Sequence, residues 1–159
     1  MRLAAVNWLE ELPRSDKYQQ QEIAALAKLL KTDSDAGVRA AAVPTLWRLV
    51  YQQGRAHAAR VGRCLVYSLP GAAGKAAVET LIAALKSDHD AGVRNAVTST
   101  LPNVAGEAAI APLAAALQDA DLGVLAAAAV GLANLKDPRA LKPLLTLAQE
   151  HRLDQDMRV

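Results

Sequence analysis

Three histidines, one cysteine and a recurring Asp/Arg pair are the side chains whose types invite chemistry in this chain of 159 residues. A zinc site needs His or Cys ligands at close, regular spacing, commonly i, i+4 on one helix. His57, His89 and His151 share no such spacing with each other or with Cys64, so no metal centre is expected. Cys64 has no evident activating base, and between Val61 and Leu65 it reads as a small buried hydrophobe. No G-x-S-x-G elbow, phosphate-binding glycine loop or paired-carboxylate arrangement occurs. The chain therefore reads as non-catalytic and free of cofactors.

The Asp/Arg pairs recur at i, i+4: Asp35 with Arg39, Asp90 with Arg94, and Asp154 with Arg158. Asp121 belongs to the same register, but Leu125 takes the arginine position. The spacing predicts a structural ladder of helix-capping aspartates, each helped by its own arginine. An exposed pair of that kind contributes only about 0.3 to 0.5 kcal/mol.

A second charge feature is local. Between Asp35 and Glu79 the chain carries Arg39, Arg48, Arg55, Arg60, Arg63 and Lys75 without one acidic residue. Trp47, Tyr51 and Tyr67 fall in the same stretch. Two readings stand: a solvated helical face with core aromatics, or a contact surface for an acidic protein, a phosphate-bearing ligand or nucleic acid. On the second reading the candidate partner-binding residues are Arg48, Arg55, Arg60, Arg63, Lys75 and Arg94.

The elements that position these residues follow from an internal repeat. Asp35-Ala-Gly-Val-Arg39 and Asp90-Ala-Gly-Val-Arg94 align with Asp121-Leu-Gly-Val-Leu125 and with Asp154-Gln-Asp-Met-Arg158. Upstream of each Asp, Ile23/Leu26, Val78/Leu81, Ile110/Leu113 and Leu141/Leu144 keep an i, i+3 spacing that puts each pair on one helical face. Each unit is thus helix, tight turn, helix, with the Asp capping the second helix. Gly54 and Gly106 are placed to end helices in the left-handed conformation, and Asp137-Pro138 supplies a cap followed by a proline. No sustained period of two occurs, so no strand is expected.

Expected core positions are Ile23, Leu26, Leu30, Val43, Leu46, Val78, Leu81, Leu85, Val97, Leu101, Leu113, Leu117, Val130 and Leu132. The aspartates are separated by 55, 31 and 33 residues, and an extra helix over residues 55–70 fits the long first interval. There Ala58, Val61, Leu65 and Leu69 lie on one helical face. Residues 1–12 read as a second helix without its first, and "LDQDMRV" as the start of another, so the chain is expected to be a single domain that is a segment of a longer solenoid or has covered ends that permit self-association.

The pattern resembles the HEAT-repeat family, in particular its PBS-lyase HEAT-like type. The residues that carry the resemblance are "AAVETLIAALKSDHDAGVRNAV" at 76–97 and "AIAPLAAALQDADLGVLAAAAVGLANLKD" at 109–137. The resemblance implies a right-handed, all-α solenoid of about four helical hairpins, with a concave surface made by the second helices and used to bind a partner protein. It leaves two other readings: a basic platform for nucleic-acid phosphates, and a bilin-lyase-like accessory factor. The family's di-iron hydroxylases use paired His-Glu dipeptides, and this chain has none. A net charge of +2 excludes strong global attraction to nucleic acid or membrane. The lone cysteine, with no 18-residue apolar run, points to a soluble, reducing compartment, read as the cytoplasm.

Overall fold

The computed structural model describes residues 16–54, 58–61, 64–67 and 72–156. Seven α-helices lie among them: α1 (Asp16–Thr32), α2 (Ala36–Gly54), α3 (Ala72–Ser87), α4 (Ala91–Ala105), α5 (Ile110–Ala116), α6 (Leu122–Leu135) and α7 (Leu141–Asp156). Short 3-10 turns at Gly106–Ala109 and Pro138–Ala140 lead into α5 and α7. Consecutive helices pair as hairpins, α1 with α2, α3 with α4 and α5 with α6. The hairpins stack so that α1, α3 and α5 form one layer and α2, α4 and α6 the other. This is an α-solenoid of helical hairpins.

Local chemistry explains why the chain turns where it does. In all three turns an aspartate caps the second helix: Asp35 Oδ1 accepts from Gly37 N at 2.8 Å, Asp90 Oδ1 from Val93 N at 3.0 Å, and Asp121 Oδ1 from Gly123 N at 2.9 Å. A Cβ at Gly37, Gly92 or Gly123 would stand 3.1, 3.0 and 3.0 Å from that same oxygen. The glycine of the D-x-G-V motif therefore leaves room for the cap. At the far end, Gly106 closes α4 with φ 53° and donates its N–H to Pro102 O. Asp137 caps the 3-10 turn that starts with Pro138.

The core is the seam between layers. Ile23, Leu26, Leu30, Val43, Leu46, Leu81, Leu85, Val97, Leu101, Leu113, Leu117 and Leu132 are buried there, as the helical spacing predicts. Val78 is only half-buried, and Val130 is 60% exposed. The residue after Val130 explains the shift: Gly131 is the position that packs inward, where a Cβ would lie 3.0 Å from Pro102 Cγ of the neighbouring hairpin and 3.3 Å from Leu113 Cδ1 of its own. Close approach of α6 to α4 turns Val130 outward.

Two sequence expectations are corrected. The extra helix over residues 55–70 is not formed by the described part of that stretch. Instead β1 (Ala58–Val61) and β2 (Cys64–Tyr67) make an antiparallel hairpin, with Ala58 opposite Tyr67 and Val61 opposite Cys64. Val61, Val66 and Tyr67 favour strands, and Gly62 costs about 1 kcal/mol inside a helix relative to alanine. An apolar run this short fits either period, and those propensities decide it. The second correction concerns Asp154, which lies inside α7 rather than at a turn, so no new helix begins there. Arg158 and residues 1–12 lie outside the described residues.

Candidate partner-binding face

The turns contain a carboxylate that the repeat alignment passed over. Asp33, Asp88 and Asp119 each stand two residues before the capping aspartate, and each accepts that residue's backbone N–H, at 2.9, 3.0 and 2.9 Å. The fourth unit has Arg152 at this position, which offers no carboxylate to the turn, and α7 runs through it uninterrupted. The recurrent D-x-D in "DSD", "DHD" and "DAD" was the available signal.

Arg39 and Arg94 use these carboxylates rather than the caps four residues back. Arg39 donates from Nε and Nη2 to Asp88 of the next hairpin at 2.7 and 2.8 Å. Arg94 grips Asp119 in the same bidentate way, at 2.8 Å twice. Each guanidinium also donates Nη1 to a carbonyl of its own turn, Asp33 O for Arg39 and Asp88 O for Arg94. One arginine thus ties its own turn to the next hairpin. The side chains are only 15% and 7% exposed in the first rung and 16% and 12% in the second, so these are largely buried ion pairs, not solvated ones.

The rung electrostatics follow from that burial. At Asp88 desolvation pushes the carboxyl pKa up, but the Arg39 hydrogen bonds and the Asp90 N–H together hold it below the usual value. At Asp119 the Arg94 hydrogen bonds dominate desolvation, again with a lowered result. A third link, Arg139 to Asp137 and Glu107, is exposed; the Arg139 hydrogen bond brings Asp137 down to about 2.

With the rungs accounted for, the second layer presents an outer face almost without charge. The only charged residues in α2, α4 and α6 are Arg39, Arg48 and Arg94, and α6 has none. Aligned on their capping aspartates, the three helices repeat the same exposure. Pro44, Ser99 and Val130 form one exposed row, and Ala41, Ala96 and Ala127 a half-buried row beside it. Arg48, Asn103 and Asn134 make a third, half-buried and polar, near the helix C-termini. Trp47 and Tyr51 pair at the α2 edge, with ring centroids 5.8 Å apart. Exposed charge lies instead on the first layer, at Lys28, Lys31, Lys75, Glu79 and Lys86.

The candidate partner-binding residues that the structure describes fall on different elements. Arg94 is taken up by Asp119, Arg48 is half-buried in α2, Arg60 falls in β1, and Lys75 is exposed on α3 in the other layer. Arg55 and Arg63 lie outside the described residues. A groove of about 540 Å³ between α1 and α3 is lined by residues including Lys31, Glu79, Thr80, Ser87 and His89. The Thr32, Thr80 and Ser87 hydroxyls there donate to their own helix carbonyls, so the groove holds few preset donors for a small molecule. Among the described residues no three His, Cys, Asp or Glu side chains could hold a metal ion, and no helix is long and apolar enough to cross a membrane.

Stacked helical hairpins with capped turns and inter-hairpin rungs define a class, the helical-repeat solenoids. The family model of HEAT repeats matches residues 78–156, and the α1–α2 hairpin continues the same stack with the same rung. No curated protein and no solved structure matches the chain.

Proposed function

We propose that the chain is a non-catalytic, cytoplasmic interaction module that holds a partner protein on the outer face of α2, α4 and α6. HEAT repeats commonly serve as protein-interaction scaffolds, which supports this reading in general terms. The observation that carries it is the segregation of charge: two of the three arginines in that layer are locked into rungs, leaving small and neutral side chains outward. Small residues let a partner's backbone approach closely, and protein interfaces are depleted of charge at their centre. A phosphate-binding platform on the α2–α4–α6 face would instead need several unengaged cations there. The D-x-G-V-R motif that resembles the PBS-lyase type is occupied by caps and rungs, so the bilin reading gains no residue of its own.

The reading predicts that Ser99→Glu combined with Val130→Glu removes the partner. Both positions are exposed, so the pair should change stability by less than about 1 kcal/mol. Wild type, this double variant and Lys75→Glu would be used to recover partners from source lysate, with helicity checked by circular dichroism. The expected outcome is a protein retained by wild type and Lys75→Glu but reduced about tenfold or more by the double variant. Equal recovery by the double variant, or loss with Lys75→Glu alone, contradicts the reading.

A further inference from the structure

We propose that the corner between α6 and α7 seats one amphipathic helix of a partner protein, in the place that the second helix of a fourth hairpin would take. The repeat supplies the comparison. On α4, Thr98 and Pro102 are buried, and α6 stacks there, with a Cβ at Gly131 only 3.0 Å from Pro102 Cγ. Counted from the capping aspartates, the same two positions on α6 are Ala129 and Ala133, which are half-buried and exposed. Leu122 is 75% exposed where its equivalent on α4, Ala91, is half-buried. The next layer on α6 is vacant. α7 is open in the matching way. Along α5 and its last turn Ile110, Leu113 and Leu117 are buried, with Leu113 facing α6 at Gly131. Their equivalents on α7 are Leu141, 60% exposed, Leu144, half-buried, and Ala148, exposed. Ala140 is buried and Leu144 and Leu147 pack against the core, so α7 stays on the stack, but no second helix stands beside it among the described residues.

The helices that fill the earlier corners fix the occupant. α4 buries Val93, Val97, Leu101 and Val104, and α2 and α6 bury aliphatic residues at the same four positions. The occupant therefore carries aliphatic side chains at i, i+4, i+8 and i+11, the pattern of a helix laid in a groove. Charge adds a second condition. Arg39 and Arg94 each take a carboxylate from the next hairpin, but α6 has Leu125 at that position and no charged residue, so it calls for no acid on its partner. No charge belongs to the open face of α7 either, since Lys142 lies about 100° round the helix from Leu141. A helix that is apolar on every side, as α6 is, is one that others enclose. Docking here continues the α4–α6 interface by one more helix. The corner lies at the end of the stack and does not involve Pro44 or Ser99, so this proposal and the reading of the outer face can fail separately.

The test uses the whole chain and a fluorescein-labelled peptide of about sixteen residues, with Val, Val, Leu and Val at the α4 spacing and Ala, Gln, Glu and Lys elsewhere, followed by anisotropy. A control peptide of the same composition scatters the four aliphatic residues around the helix. The first peptide should bind at least about tenfold more tightly than the control, and Leu122→Glu/Leu141→Glu should weaken it by a similar factor, because a carboxylate in an apolar corner loses its water. Lys86→Glu, on the first layer, should bind as wild type does. Bound peptide should slow amide exchange in α6 and α7 and leave α1 unchanged. Equal binding of the two peptides, no binding of the first, or protection confined to other helices would overturn the proposal. Light scattering of the wild type alone should show a monomer; a dimer that Leu122→Glu/Leu141→Glu returns to monomer would mean that a second copy fills the corner, and would overturn it too. The control peptide leaves the protein unaltered, so that comparison stands even where circular dichroism finds the double variant perturbed.

Discussion

Arg94 and Asp119 carry a junction between hairpins, and their burial sets the magnitude of what they contribute. An exposed pair at i, i+4 would be worth a few tenths of a kcal/mol, but here the partners come from different repeats and are nearly closed to water. Removing Arg94 leaves a buried carboxylate without its counter-charge, so Arg94→Ala should cost about 2 kcal/mol. Arg139→Ala, at an exposed link, should cost clearly less than Arg94→Ala. Asp119→Asn keeps an oxygen for the Asp121 N–H while losing the charge, and a double-mutant cycle with Arg94→Ala should return a coupling of about 1 to 2 kcal/mol from urea unfolding. Additive losses would show that the rung is a contact without energetic weight.

The same rungs predict a direction with pH. Asp88 and Asp119 have folded pKa values below the unfolded one of about 3.9, so the unfolded state binds more protons near that pH. Their contribution is therefore fully present above that value and lost as pH falls through it toward the lower folded values. Urea midpoints should drop between about pH 5 and pH 2, and the Asp119→Asn/Arg94→Ala variant should show a shallower drop over that window. An equal slope would mean that other groups govern acid unfolding.

Elements were legible where a periodic pattern and a capping residue agreed. The helical hairpins of α1 to α6 follow from apolar spacing plus Asp35, Asp90 and Asp121, because cap and core period demand the same boundary. The β1–β2 hairpin was not legible, since four-residue strands give no sustained alternation. The rung partners were hidden for another reason: Arg39 and Asp88 are 49 residues apart, and sequence spacing favoured the nearer Asp35. The Pro44, Ser99 and Val130 row was hidden because it is neutral, and neutral side chains carry no signature of a site in a sequence.

Gly131 tests the packing of these elements. Alanine is the better helix former by about 1 kcal/mol, yet an added methyl would press on Pro102 and Leu113. Overpacking of this kind typically costs about 1 to 3 kcal/mol. Gly131→Ala should therefore lower the thermal midpoint despite its propensity, and a raised midpoint would show that α4 and α6 are not held at this distance.

At the scale of the whole molecule, the stack divides the labour between its layers. A solenoid is stabilised by nearest-neighbour interfaces, so the rungs fix how one hairpin sits on the next and with it the spacing of the outer rows. Rungs join the first three hairpins, while Leu125 stands where the next arginine would be, and Arg139 makes the exposed link toward α7. Charge faces outward from the first layer and neutral, small residues from the second. The central claim is that the neutral layer is where a partner sits. The most direct measurement is photo-crosslinking in source lysate from a benzophenone amino acid placed in turn at Pro44, Ser99, Val130, Ala83 and Lys142, with products identified by mass spectrometry. The account predicts one common protein crosslinked from Ser99 and Val130, and from Pro44 where the partner spans all three helices, with none from Ala83 or Lys142. The same protein captured from Ala83 or Lys142 and not from Ser99 or Val130 would contradict it.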